Sequence, residues 1–272
     1  MNTLVSRFIT RGSLSMSLIV LASCGGGGGG GTGGGGGSSA PPIQNASPGG
    51  IWQGRDPQGF AILGVVAEDG RSQFVVIDGA PYTQYWGALT ISGNTVSGSN
   101  IQVAAGVTYF GTATLTGGSL VARQTFTGTV NYTPLAGCPA TTCGTSQSFP
   151  LNLTFNSVYN QGGALSRIVG NWRDSETGQT VNINSAGVIF AQEAATGCVI
   201  NGQVSTINTN FNAYSVTYTF ASCRFPYNIQ NGTTATGLAF VDTSDSPNKI
   251  YFAGRYRVGN SAYTVYGAGP KI

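Results

Sequence analysis

The chain has 272 residues, of which only 8% are charged, twelve basic against nine acidic, and none is histidine. Without imidazole there is no Ser-His-Asp or Cys-His nucleophile, no ordinary zinc site and no neutral-pH proton shuttle. An enzyme would have to draw on three glutamates, two lysines, aspartates and tyrosines, and no clustered basic face points to nucleic acid.

Arg7 and Arg11 precede a short apolar run, Leu14 to Leu21, which ends in Leu21-Ala22-Ser23-Cys24 ahead of a glycine run. A basic start, a brief apolar core and small residues at a cleavage point make a secretory signal over residues 1–23. The core is too short for a membrane span, which needs about 20 residues. One reading is an ordinary signal with a chance cysteine. The other is that Cys24 resembles the cysteine of a bacterial lipobox. That resemblance implies that Cys24 is acylated, palmitate included, and becomes the mature N-terminus. Two or more acyl chains give a stable membrane anchor. Gly25 stands where an inner-membrane retention aspartate would be, which implies sorting to the outer membrane. Loss of the signal removes Arg7 and Arg11, leaving ten basic and nine acidic side chains. Solubility then rests on Ser, Thr, Asn, Gln and Gly, as in an exported β-protein.

Residues 24–48 form a linker: Gly25 to Gly37 is glycine broken only by Thr32, and Ser38 to Pro48 continues in Ser, Ala, Pro and Asn. Such a segment has no apolar surface to bury and is expected to be a disordered coil. Its reach is about 27 Å, from roughly 5.5 Å times the square root of about 24 residues. A phosphate-cradling loop is the competing reading, but no GKS or GKT sequence follows.

Beyond the linker, short alternating runs dominate: Phe74 to Ile77, Leu151 to Phe155, Tyr214 to Phe220 and Tyr263 to Tyr266. A period of two with β-branched and aromatic enrichment predicts strands with one buried face. Turn signals fall at Asp69-Gly70, Gly93-Asn94, Gly117-Gly118, Ser185 to Gly187 and Gly259-Asn260. Gaps of this length suit hairpins, so the strands should pair in up-and-down order.

An internal repeat divides the strands. Gly50-Ile51-Trp52 opens one half and Gly170-Asn171-Trp172 the other, each followed by a charged turn, Arg55 to Gly59 and Arg173 to Gly178. A hairpin late in each half also corresponds, Phe126–Val130 with Phe149–Phe155 and Ile200–Val204 with Tyr214–Phe220. The reading is all-β: two tandem antiparallel barrels of about eight strands, residues 49–166 and 167–272, with eight strands enough to close a small barrel. Cys24 apart, Cys138, Cys143, Cys198 and Cys223 make two disulfides in an oxidising compartment, with three connectivities open. Spacing favours Cys138–Cys143 and Cys198–Cys223, because a hairpin turning at Thr209 to Phe211 sets the latter pair opposite each other. A Cys-x4-Cys metal site is the alternative for the former.

Gly50/Trp52 and Gly170/Trp172, with the strand count, resemble the calycins (lipocalins and avidins) and bacterial lipoproteins with calycin-like barrels. The layout is also similar to poly-glycine lipoproteins of proteobacteria, a group of unknown activity; Gly197-Cys198-Val-Ile-Asn-Gly202, followed by Cys223, carries that likeness. The calycin resemblance implies a basic residue of the last strands against the first-strand tryptophan, Arg255 or Arg257 for Trp172.

Four constellations are candidate sites. Tyr82, Tyr85 and Trp86, in Pro81 to Trp86, would stack on a sugar or contact a protein, or else fill a core. Asp242 to Asn248 spaces oxygen ligands as calcium needs but lies where a turn is expected. Asp174 and Glu176 offer a carboxylate pair or a solvated turn. Arg255 and Arg257 share a face and would clasp an anion or pack on Trp172. The expectation is a non-enzymatic envelope lipoprotein that binds a protein partner or a small apolar or glycan ligand, with no cofactor and no metal. A structural envelope lipoprotein without a ligand is the alternative.

Overall fold

A computed structural model describes residues 45–272 apart from 78, 80, 81, 107, 245, 259 and 260. The signal segment, Cys24, most of the linker, Pro81, Asp245 and the Gly259-Asn260 turn therefore lie outside the described residues. Among the described residues the alternating runs form sixteen strands in two antiparallel sheets.

The first sheet contains β1 (Gly50–Arg55), β2 (Ala61–Val66), β3 (Arg71–Ile77), β4 (Thr83–Ser92), β5 (Thr95–Ala105), β6 (Thr108–Val121), β7 (Thr125–Pro134) and β8 (Gln147–Asn156). Each strand pairs with the next, and β8 returns to β1 with Trp52 opposite Phe155, so the barrel is closed. The second sheet runs through β9 (Gly170–Arg173), β10 (Thr180–Ile183), β11 (Val188–Gln192), β12 (Val199–Thr206), β13 (Tyr214–Ala221), β14 (Thr234–Asp242), β15 (Lys249–Val258) and β16 (Ser261–Pro270). It curls until its ends meet: Trp172 bridges Lys271, the Ile272 amide donates to Asn171, and the Ser175 amide donates to Ala268. We call these barrel one and barrel two. Closure of barrel one removes the unpaired edges that would otherwise template aggregation.

The two Gly-x-Trp motifs start the two barrels, and their tryptophans sit alike. Both are buried, and each indole N–H donates to the carbonyl four residues back, Pro48 for Trp52 and Ile168 for Trp172. The glycines do different work. A Cβ on Gly50 would lie 2.5 Å from the Trp52 ring, whereas one on Gly170 would lie 2.4 Å from the Lys271 chain. Lys271 passes over Gly170 so that its ammonium lies 5.6 Å from the Trp172 ring centre. Lys271 therefore takes the place expected for Arg255 or Arg257, because the last strand returns beside β9 while β15 lies farther round the sheet.

Two further expectations are corrected. Gly117-Gly118 lies within β6 and makes a bulge between Thr116 and Ser119; Gly117 adopts a φ of +57° that glycine tolerates, so the strand bends instead of turning. The chain turns later, at residues 122–124. The two hairpins matched by sequence also hold different places. One is the final pair of barrel one, β7 and β8, and the other is the fourth and fifth strands of barrel two, β12 and β13. Alternation is the same in every strand, so it could not assign their order.

Barrel one is filled at one end. Trp52, Val66, Val96 and Leu120 are buried there. Residues 45–49 cross that base, where Ala46 packs on the core and donates its amide to Gly93 while the Asn45 side chain accepts from the Gly93 amide. The expected boundary near Ser166 falls in a single helical turn, Leu165–Ile168, between the barrels.

The barrels share a dry face. Ile51 and Val65, on the outside of β1 and β2, cluster with Leu238 and Phe240 on the outside of β14. Tyr159, from the connecting turn Ser157–Gln161, stacks on Phe211 at 5.1 Å and donates its hydroxyl to Glu68. Burial, then the Glu68 charge and hydrogen bond, drives the Tyr159 pKa far above its ordinary value. Asn212, fully buried, links the connecting turn to β14: its side chain donates to the Val158 and Val241 carbonyls and accepts from the Val241 amide. The described residues form one compact unit.

Candidate binding cavities

Side chains that alternate inward along eight strands either meet across the lumen or leave space. In barrel one they leave a cavity of about 380 Å³. Its wall is apolar and aromatic, with Phe74, Tyr85, Phe110, Phe126, Tyr132 and Phe149 among the lining residues. Gly64 makes this wall possible, since a Cβ there would lie 1.9 Å from the Phe74 ring opposite it. The cavity opens away from the filled base, between the β1–β2 turn at Asp56 to Gln58 and the β7–β8 loop at Thr142 to Gly144.

The Cys138–Cys143 disulfide staples that loop, as its spacing suggested. Tyr132 anchors the loop to the wall, its hydroxyl lying 2.7 Å from the Cys143 carbonyl and 2.9 Å from that of Phe110. Burial, then neighbouring Tyr109, pushes the Tyr132 pKa up, so this hydroxyl stays a neutral donor.

Barrel two holds a cavity of about 320 Å³. Val181, Ile183, Ile189, Val216 and Phe252 contribute its apolar wall. Its rim is polar: Asp174, Thr177 and Gln179 come from the β9–β10 turn, Glu193 follows β11, and Gln230 lies in the β13–β14 loop. The Cys198–Cys223 disulfide ties the β11–β12 and β13–β14 connections at this end. The β12–β13 hairpin turns around Asn210, as the pairing argument required. Phe225, 88% exposed, projects from the β13–β14 loop with Tyr227 and Ile229 also exposed.

The sequence-selected aromatic trio does not form one site. Tyr85 faces the lumen of barrel one and lines its cavity. Trp86, one residue on, faces outward, is buried with Ala104 and Ala262, and carries the Arg255 guanidinium 5.4 Å from its ring centre. Tyr82 meets the edge of Tyr266 at 4.9 Å and donates its hydroxyl to Glu176. That hydrogen bond, with burial and the Glu176 and Asp174 charges, pushes the Tyr82 pKa up to about 12. Period-two alternation sends Tyr82 and Trp86 to the junction between barrels and Tyr85 inward.

The remaining candidates are turn and junction features. Asp242 accepts from the Ser244 amide and hydroxyl at 2.9 and 2.6 Å, a local turn arrangement. Asp174 accepts from the Thr177 amide at 2.8 Å, while Glu176 is engaged by Tyr82, so the two acids do not face one substrate. Arg257 donates to Gln102 at 3.3 Å across the junction. Among the described residues, no group of three or more His, Cys, Asp or Glu is placed to hold a metal.

Sequence reasoning missed Tyr218, Tyr256 and Gln179, which line the second cavity. Their inward positions follow from strand alternation, but nothing in alternation distinguishes a lumen that is empty from one that is filled. Comparison with protein-family models, with curated proteins and with solved structures gives no match.

Proposed function

We propose that this chain is a non-enzymatic, lipid-anchored lipoprotein of the bacterial envelope whose barrels hold small apolar molecules. The supporting observation is the pair of lumenal cavities, about 380 and 320 Å³, each walled by apolar side chains. Small-molecule sites are concave, largely apolar and mostly preformed, with volumes upward of roughly 300 Å³. A glycan is the less favoured ligand, because the aromatic residues that would stack on it are divided between a lumen and a buried junction. A protein partner is a second reading, favoured by Phe225, Tyr227 and Ile229, exposed together on one loop.

The test is titration of the full chain with the neutral dye N-phenyl-1-naphthylamine, read by fluorescence enhancement. Val103 and Val216 point into the first and second cavities. Val103→Phe should remove one class of sites, Val216→Phe the other, and the double variant both, with circular dichroism unchanged. Enhancement that persists in the folded double variant would refute lumenal binding. The anchor rests on Cys24 alone: Cys24→Ala should abolish lipid labelling and leave uncleaved precursor, or release soluble protein if another peptidase cuts. Labelling equal to that of the parent would exclude acylation at this residue.

A further inference from the structure

Tyr218 and Tyr256 are only 5% and 7% exposed and line the second cavity. Neither hydroxyl makes a hydrogen bond to any described residue. The Nε2 of Gln179, in the rim of the same cavity, is fully buried without a partner, whereas the two hydroxyls keep some accessible surface. Buried tyrosine hydroxyls normally find an acceptor, and a buried donor without one destabilises the fold. The first cavity has no such group at Tyr132, whose hydroxyl lies against two carbonyls.

Strand register explains how the tyrosines come together. Tyr218 pairs with Ala235, and the pairing of Thr236 with Arg255 puts Tyr256 in line with Ala235 on its other side. Two strand spacings separate the tyrosine backbones by about 10 Å. Ala235, fully buried between them, puts only a methyl group in that row. The rings are held in place: Tyr218 meets Phe220 edge-on at 5.2 Å, and Tyr256 stacks on Tyr263 at 4.9 Å. Their hydroxyls cannot easily turn to other acceptors.

Charge narrows the ligand. No lysine or arginine lines the cavity, whereas Asp174 and Glu193 do. Both acids have local partners, Thr177 and Thr196, yet they make the rim unfavourable to an anion. Burial, then Tyr263, pushes the Tyr256 pKa up to about 12, and burial, then Tyr256, raises that of Tyr218, so both are neutral donors at pH 7.

We propose that barrel two binds an uncharged, mainly apolar molecule carrying carbonyl or hydroxyl oxygen, which accepts hydrogen bonds from donors among Tyr218, Tyr256 and Gln179. This deepens the lumenal-binding reading and rests on it.

The test uses the full chain carrying Val103→Phe, so that barrel one is blocked, with naphthalene, 2-acetonaphthone and 2-naphthoate as matched probes. The neutral ketone should bind at least about fivefold more tightly than naphthalene, the gain from one net hydrogen bond. The anion should bind most weakly. Adding Tyr218→Phe and Tyr256→Phe should lower ketone affinity to that of naphthalene while naphthalene binding stays within about twofold. Equal binding of ketone and hydrocarbon, or a ketone advantage that survives both substitutions, overturns the proposal and leaves lumenal binding standing. Tightest binding of 2-naphthoate overturns the uncharged class. Binding of none of the three removes the lumenal reading for barrel two, and this proposal with it.

Discussion

Replacing Asn212 with Ala tests how the barrels are joined. Asn212 sits at the register position opposite Val241, two residues beyond the Tyr214–Ala239 pair. There its side-chain amide stands in for a peptide group, accepting from the Val241 amide at 3.1 Å and donating to the Val241 carbonyl at 2.6 Å. It also reaches the Val158 carbonyl at 3.1 Å. Alanine strips three buried main-chain groups of a partner at once. Each unsatisfied group costs about 1 kcal/mol at the low end, so the loss should be about 3 kcal/mol. For a unit of this size that corresponds to a fall in Tm of roughly 6–12 °C. Asn212→Asp should be worse at pH 7, because a buried carboxylate cannot donate to two carbonyls. Urea and thermal unfolding followed by circular dichroism give the measurement, with Asn210→Ala, exposed in the same turn, as the control that should change by less than about 0.5 kcal/mol. An Asn212→Ala protein as stable as the control would show that the amide contributes nothing net, and the account of the junction would be wrong.

Other outcomes follow from the same structure. The Cys198–Cys223 bridge spans 25 residues and Cys138–Cys143 spans 5, so chain entropy gives about 3.5 and 2 kcal/mol. Alanine at both members of the longer pair should lower the urea midpoint more, and the reverse order would count against the entropic argument. Burial, offset in part by Arg167, pushes the Tyr214 pKa up to about 12, the value that Tyr256 also reaches through burial and Tyr263. The unfolded chain releases these protons near pH 10. Stability should therefore be full below pH 10 and fall between pH 10 and 12, by about 1.4 kcal/mol per pH unit for each tyrosine. Tyr256→Phe should flatten that slope by one such increment; an unchanged slope refutes the assignment. Lys271→Met should leave Trp172 buried but lower the Tm by a few degrees at most, since a cation over an indole contributes about 0.5–1 kcal/mol when exposed; a collapse of barrel two would mean that Lys271 closes the sheet by more than this contact.

Much of the architecture is written locally. Trp52 and Trp172 mark first strands because a large indole needs a buried lumenal place and a carbonyl for its N–H, and both find these in the same way. Gly93-Asn94 makes the two-residue turn between β4 and β5 that its composition predicts. The cysteine pairing was legible for a similar reason, since hairpin arithmetic is a property of chain distance. Position within the sheet was not legible. Gly117-Gly118 carries turn composition yet sits in a bent strand, and only the partner strand decides between bend and turn. The site was hidden more deeply. Tyr85 and Trp86 are neighbours in sequence but lie on opposite sides of a wall, while Tyr218 and Tyr256 are far apart in sequence but lie in one row across three strands. An unpaired hydroxyl is a fact about surroundings, and no pattern of residue types states it.

The way the chain reaches barrel one fixes a direction. Asn45 and Ala46 are fastened to Gly93 at the filled base, and β1 then runs from Gly50 to Arg55 toward the open rim. Six strand residues at roughly 3.3 Å each place the rim about 20 Å from that fastening. Anything moored through residues ahead of Asn45 is moored by the sealed floor of the barrel. The mouth therefore lies at the end of the barrel opposite the point where the chain comes in, so that a guest of the kind proposed would pass in at the far end from the entering strand.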